Sequence, residues 1–168
     1  NTALKKYPRN LLLNQLKIDI DLNKDFTDQF NCKNIAEVIG EIFYITANAL
    51  SATNNYSASN FYLNLANYLN PRFASFQTLH AENLFNIQKL SQSKKIYKQI
   101  KKKGSIYDWH ASKKIAFILE KENKNKESLK YLSDVFKKIS NPTINKTYDF
   151  AEFLKRNEKF KESIMYYS

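Results

Sequence analysis

The chain has 168 residues, 43% of them apolar, and a formal charge of +11 from 27 basic and 16 acidic side chains, which suits one domain with a sizeable core. Two glycines, three prolines and one cysteine exclude a hairpin-rich sandwich, a Gly-rich phosphate loop, an intrachain disulfide and a Cys-based zinc site. A mean hydropathy of -0.57, with no pure-apolar run longer than Leu11-Leu12-Leu13, argues against a transmembrane helix, which needs about 20 apolar residues.

The basic residues are 24 Lys and only three Arg (Arg9, Arg72, Arg156). With the abundance of Asn, Ile, Phe and Tyr, this is the codon bias of an AT-rich genome, and we expect a bacterial source. Nucleic-acid readers favour Arg, whose planar fork grips phosphate and guanine in bidentate fashion, so the charge argues chiefly for solubility and attraction to acidic partners. Asn1-Thr2-Ala3-Leu4 reads as the middle of something longer. The compartment stays open between bacterial cytoplasm and periplasm, soluble or peripheral.

Four alanines set a repeat: Ala47, Ala81, Ala116 and Ala151, separated by 34, 35 and 35 positions. Three residues after each comes a leucine: Leu50, Leu84, Leu119, Leu154. Twelve after each comes a serine: Ser59, Ser93, Ser128, Ser163. Four further on stand Leu63, Tyr97, Leu132 and Tyr167. Offsets of 3, 4 and 7 are helical spacing, not strand alternation. Each unit is predicted to hold an A helix with Ala-x-x-Leu and a B helix with Ser-x-x-x-(Leu/Tyr). The expected joints are Thr53-Asn54-Asn55, the neighbourhood of Lys89, Glu122-Asn123-Lys124 and Asn157-Glu158-Lys159. Ala and Ser are small where the two helices cross, and a mid-helix serine is expected to return its hydroxyl to the carbonyl four residues back.

The pattern resembles the tetratricopeptide repeat family, whose 34-residue unit is a helix–turn–helix. Residues 40–73 fit it without a gap, through Phe43, Ala47, Leu50, Tyr56, Ser59, Leu63, Ala66 and Asn70-Pro71. Residues 74–107, 109–142 and a truncated 144–168 follow, with Ser105 in place of the proline in the second and one-residue slips in the later joints. Upstream, Ala3, Leu4 and Pro8 sit like the tail of another B helix and Leu11 to Ile20 like a degenerate A helix. Residues 21–33, with Asp21, Asn23, Lys24, Asp25, Asp28 and Asn31, read as an irregular link. The chain thus divides into a degenerate cap and link, 1–33, and the repeats, 34–168, an excerpt of a longer array. The family's Trp is absent, with Phe43, Gln77, Ser112 and Thr147 in its place.

The resemblance implies an all-α fold, a right-handed α-solenoid of antiparallel helix pairs. It also implies a concave wall of A helices that grips a peptide or helix of another protein. Carried onto this sequence, that wall offers Glu41, Tyr44, Asn48, Ser51 and Ala52, then Ser75, Thr78, Glu82, Phe85 and Asn86. His110, Lys113, Phe117, Glu120 and Lys121 follow, then Asn145, Tyr148, Glu152, Lys155 and Arg156. A clamp on a C-terminal carboxylate is not expected: only Asn48 matches its pattern, and Tyr44 stands where a lysine belongs.

Between Glu82 and Asp108 there are seven lysines and no acid. Lys94, Lys98 and Lys101, with Lys95 and Lys102, are predicted to share one face of a B helix, on the convex side under the resemblance. An anionic membrane surface or RNA is the alternative partner for that face. Lys101-Lys102-Lys103-Gly104 is also somewhat similar to the pentatricopeptide repeat, which reads RNA bases. The small residue at all four alanines and the groove carboxylates Glu41, Glu82, Glu120 and Glu152 argue against RNA. Self-association through unfinished repeat ends is a third possibility.

No catalytic constellation emerges. His80 and His110 are 30 apart on different A helices, His80 at a position that packs within the pair. Neither has a second ligand at metal spacing. Cys32 lies in the link with no identifiable partner. We expect a non-catalytic binding scaffold with no metal and no cofactor.

Overall fold

The computed structural model describes residues 2–24 and 29–167. Those residues form ten α-helices, one 3-10 turn and no strand. In chain order the helices are α1 (Thr2–Lys6), α2 (Leu11–Asp21), α3 (Ile35–Ala52), α4 (Tyr56–Leu69), α5 (Ala74–Asn86), α6 (Leu90–Ile100), α7 (Ser105–Lys121), α8 (Asn125–Lys137), α9 (Ile144–Arg156) and α10 (Phe160–Met165), with the 3-10 turn at Lys101–Lys103. The all-α expectation holds. Each of the four repeat alanines lies on one helix and its serine on the next. Two compact units form, Asn1–Asp108 and Trp109–Ser168. Of the expected link at 21–33, Asp21 still belongs to α2 and residues 22–24 and 29–33 are irregular; Asp25 and Asp28 lie outside the described residues, as does the last residue of the truncated fourth repeat, Ser168.

The constant Ala-to-Ser spacing is held by a hydrogen bond across each helical pair. The serine hydroxyls do not bond back along their own helix. Ser59 Oγ donates to Ala47 O at 2.7 Å, Ser93 to Ala81 O at 2.7 Å, Ser128 to Ala116 O at 2.8 Å and Ser163 to Ala151 O at 2.8 Å. All eight residues are buried. The methyl of alanine lets the helices approach so closely that a serine reaches the partner helix's backbone. There the carbonyl's second lone pair is available, so the bond across the pair competes with the i−4 bond and wins. Ser93→Ala is expected to cost about 1 kcal/mol for the lost bond. Ser93→Leu is expected to cost ~1–3 kcal/mol more by overpacking the crossing. A melting temperature for the leucine variant equal to wild type would show that the crossing has slack.

The joints are equally regular. Asn54, Gln88, Asn123 and Glu158 each sit seven residues after the repeat alanine and adopt φ of 62°, 61°, 60° and 60°. The following amide bonds back to the motif leucine: Asn55 N to Leu50 O, Lys89 N to Leu84 O, Lys124 N to Leu119 O and Lys159 N to Leu154 O. This is the Schellman termination, in which a left-handed residue closes the last turn. The residue after the left-handed one, whose amide makes this bond, is also the N-cap position of the next helix, so each hairpin is short and stiff. Helix α2 ends the same way: Asn23 has φ 51° and Lys24 N bonds to Asp19 O at 2.9 Å. That termination accords with the degenerate A helix read at Leu11 to Ile20.

Within Asn1–Asp108, Ala47 of α3, Leu63 and Ala66 of α4 and Phe76 of α5 form one core cluster. Within Trp109–Ser168, Trp109 and Ala116 of α7, Leu132 and Phe136 of α8 and Phe150, Phe153 and Leu154 of α9 form another. Both clusters join a hairpin to the first helix of the next hairpin. Helix–helix burial on this scale dominates the stability of such short helices.

Two residues outside the repeat pattern brace the N-terminal unit. Asn83 is fully buried: its amide donates to Ser59 Oγ at 2.7 Å and Asn60 Oδ1 at 3.1 Å, and its oxygen accepts from Ser51 Oγ at 2.7 Å. Ser51, expected on the groove wall, is thereby committed to the packing of α3 on α5. Glu37 is also buried and accepts from the Arg72 guanidinium at 2.6 Å. Helix α3 corrects one expectation. Its 18 residues reach a mean hydropathy of 1.2, so by length and composition it qualifies to cross a membrane. The lysines elsewhere hide this in the chain-wide average. Ile35, Ile39, Ile42 and Ile45 are exposed along it, while its other face packs on α4 and α5.

Candidate functional site

Side chains of α3 and α5 meet around one cavity. Tyr44 and Asn48 from α3 meet Ser75, Thr78, Leu79 and Glu82 from α5 around a cavity of about 230 Å³. Five of these six stand at positions the sequence analysis assigned to the groove wall. Three further elements close the cavity: Asn10 before α2, Leu11 and Leu12 on its first turn, and Tyr107 on the first turn of α7. Sequence reasoning missed all of those. Nothing in the local pattern says that the start of α2 lines a cavity with α3 and α5, and Tyr107 lies in a repeat joint.

The chemistry of the cavity is polar on an aromatic frame. Tyr44 packs on Phe76 and Phe73, with ring centroids 5.1 and 6.3 Å away, so its ring is held while its hydroxyl faces Ser75. Burial, and then the carboxylates of Glu41 and Glu82, push the Tyr44 hydroxyl above its ordinary pKa, against a hydrogen bond with Ser75. Tyr107 is 1% exposed and its hydroxyl has no hydrogen-bond partner. Burial, then Tyr44, pushes it up to about 12. Both phenols stay protonated at neutral pH, as donors rather than charges. Burial also raises the Glu41 carboxyl. A buried phenol without a partner is costly unless something that enters the cavity satisfies it. The remaining wall positions of α5 lie at its C-terminal end, Phe85 half-buried and Asn86 exposed.

In the C-terminal unit several of the expected groove residues are engaged by neighbouring side chains. Lys113 of α7 pairs with Asp149 of α9 at 2.5 Å, and Trp109 Nε1 donates to the same carboxylate oxygen at 3.1 Å. One helical level on, Glu120 accepts from Arg156 at 3.1 Å and from Asn157 at 2.8 Å. The Arg156 guanidinium lies over the rings of Phe117 and Phe153, at 5.3 and 5.6 Å. Tyr148 meets Tyr167 edge-on at 5.6 Å, and the Tyr167 hydroxyl donates to Glu152. Lys155 is exposed and reaches Glu152 only at 3.9 Å. Helices α7 and α9 are thus joined by two partly buried ion pairs, Lys113 with Asp149 and Glu120 with Arg156.

His110 is half-buried beside the first of these pairs. Burial first, then the charges of Lys114 and Lys113, pull it down to about 4, with Asp149 opposing. Its folded value lies below the ordinary 6.5, so the unfolded chain binds the proton more readily. The associated stability is complete above about pH 6.5 and is lost as pH falls through that value toward 4. We expect the Trp-monitored unfolding free energy of the C-terminal unit to be about 2 kcal/mol lower at pH 5 than at pH 7. His110→Gln should flatten that difference. An unchanged slope in the variant would assign the effect to other groups. Burial likewise lowers His80.

The lysine stripe is divided. The α-helix ends at Ile100, so Lys101 and Lys102 continue on the 3-10 turn. Lys101 pairs with Asp108 at 3.3 Å, and Lys103 turns back to donate to Arg72 O at 3.1 Å. Lys95, Lys98 and Lys102 are exposed, and Lys94 half-buried. Cys32 is a free, exposed thiol. Among the described residues no group of three His, Cys, Asp or Glu side chains is placed to hold a metal ion. No protein-family model matches the chain, and no curated protein matches its sequence.

Proposed function

We propose that this is a non-catalytic binding scaffold whose hairpins stack as a right-handed tetratricopeptide-like solenoid, and that it holds a helix or peptide of another protein against α3 and α5. The observation that carries the reading is the convergence of Tyr44, Asn48, Thr78 and Glu82 on one cavity. All four stand at positions where the tetratricopeptide resemblance implies a groove wall. Aromatic anchors amid hydrogen-bonding groups are what helix and peptide grooves use. The recurrence of the serine clip in all four hairpins supports the stacked architecture. The test is quantitative capture of partners from the source cell by the wild-type chain and by an Asn48→Arg, Asn86→Arg variant, both exposed positions whose replacement leaves the core intact. Partners retained by wild type should be lost from the variant at unchanged melting temperature. Equal recovery would remove the groove from the account.

A second reading rests on the exposed Lys95, Lys98 and Lys102, which suit an anionic partner such as RNA or a phospholipid surface. It requires binding to poly-U or anionic vesicles that persists at about 200 mM salt and fails when those lysines are reversed to Glu.

A further inference from the structure

The face that the repeat pattern marks for a partner is already covered by a piece of this chain. Leu11 and Leu12, on the first turn of α2, close the cavity against Tyr44 and Thr78. One turn on, Gln15 is the only buried residue of α2. Its Oε1 accepts the backbone N–H of Ile106 at 2.9 Å, and its Nε2 donates to Asp19 Oδ1 at 2.9 Å. It rests directly on Gly104, where any Cβ would come within 2.3 Å of the Gln15 amide. The rest of α2 is held lightly: its leucines are half-buried, Lys17 and Ile20 are exposed, and Leu22 just beyond its end is exposed too.

We propose that α2 is a resident occupant of the groove, standing where a partner's amphipathic helix docks, and that the partner displaces it. The inference rests on the groove reading above and adds the partner's chemistry. That partner is a helix carrying two adjacent leucine-like side chains and, one turn later, an amide that takes over the Ile106 N–H. The fit of α2 is incomplete. It leaves the cavity beneath its first turn open and the Tyr107 hydroxyl unpartnered. A partner with a polar group at that point gains a buried hydrogen bond that α2 does not make, so it can outcompete α2 despite the latter's tether. An intramolecular ligand enjoys an effective concentration in the millimolar range, which sets a threshold that only a better-fitting helix passes.

The probe is a fluorescein-labelled peptide of residues 8–24, added to the full chain. Two forms of the chain are compared: wild type, and a variant with Leu11→Lys, Leu12→Lys and Gln15→Lys, which unseats α2 and leaves α3 and α5 untouched. The peptide is expected to bind the unseated chain at least tenfold more tightly than wild type, and Asn48→Arg in the unseated background should abolish that binding. Hydrogen exchange should show α2 amides released while α3, α4 and α5 stay protected. Equal affinity for both forms would overturn the proposal. So would loss of protection in α3–α5 on unseating, because α2 would then be part of the fold rather than its guest. If the peptide arm fails while partner capture still depends on Asn48 and Asn86, the resident-occupant proposal alone falls. If capture is indifferent to those residues, the groove reading falls with it.

Discussion

Phe136→Ala is expected to destabilise the C-terminal unit by about 3–5 kcal/mol, the range for emptying a large aromatic site in a close-packed core. Phe136 is stacked on Phe150 with centroids 4.2 Å apart and planes at 10°, meets Tyr166 edge-on at 5.5 Å and lies 5.7 Å from Trp109. These contacts come from α7, α9 and the end of α10, so no single side chain can relax into the void. Trp109 is the only tryptophan, and its fluorescence therefore reports this unit alone. With a urea m-value of roughly 2 kcal/mol/M for a small domain, the midpoint should fall by about 2 M. A loss under about 1 kcal/mol would mean that the cluster closes around the gap.

Gly104→Ala is expected to destabilise the N-terminal unit by about 3 kcal/mol. Gly104 has φ 138°, a conformation that costs an L-residue about 1–3 kcal/mol. An alanine methyl would also lie 2.3 Å from the Gln15 amide, so Gln15 must leave and the Ile106 N–H loses its acceptor. A double-mutant cycle separates the two causes. In a Gln15→Gly background the clash is absent and only the backbone strain remains, so the alanine should cost less by 1 kcal/mol or more. Equal costs in both backgrounds would refute the contact between Gly104 and Gln15.

The fold class was legible because the repeat is written in residues that packing cannot do without: alanine and serine at the crossing, leucine at the third residue from each helix end. The joints were legible as polar breaks, but their left-handed residues were not. Asn54 and Asn123 are ordinary choices there. Gln88 and Glu158 carry no local sign of it and are held in place by the hairpin geometry. The site was half legible. The family resemblance placed Tyr44, Asn48, Thr78 and Glu82 on one wall, and these four side chains line one cavity. It says nothing about a segment from outside the repeat, so Leu11, Leu12, Gln15 and Tyr107 were invisible. In the C-terminal unit the same resemblance picked Lys113, Glu120 and Arg156 as wall residues without revealing that Lys113 pairs with Asp149 and Glu120 with Arg156.

The bond from each clip serine to its alanine carbonyl and the left-handed stop both lie within a stretch of twelve residues from each repeat alanine, and both are made inside one hairpin. Each pair of helices therefore carries its own assembly instructions. A gene encoding such a chain can lengthen or shorten by whole duplicated segments, and residues can be inserted freely after a pair but not inside one. The 34- and 35-residue intervals vary only outside the clipped segment, as that freedom requires.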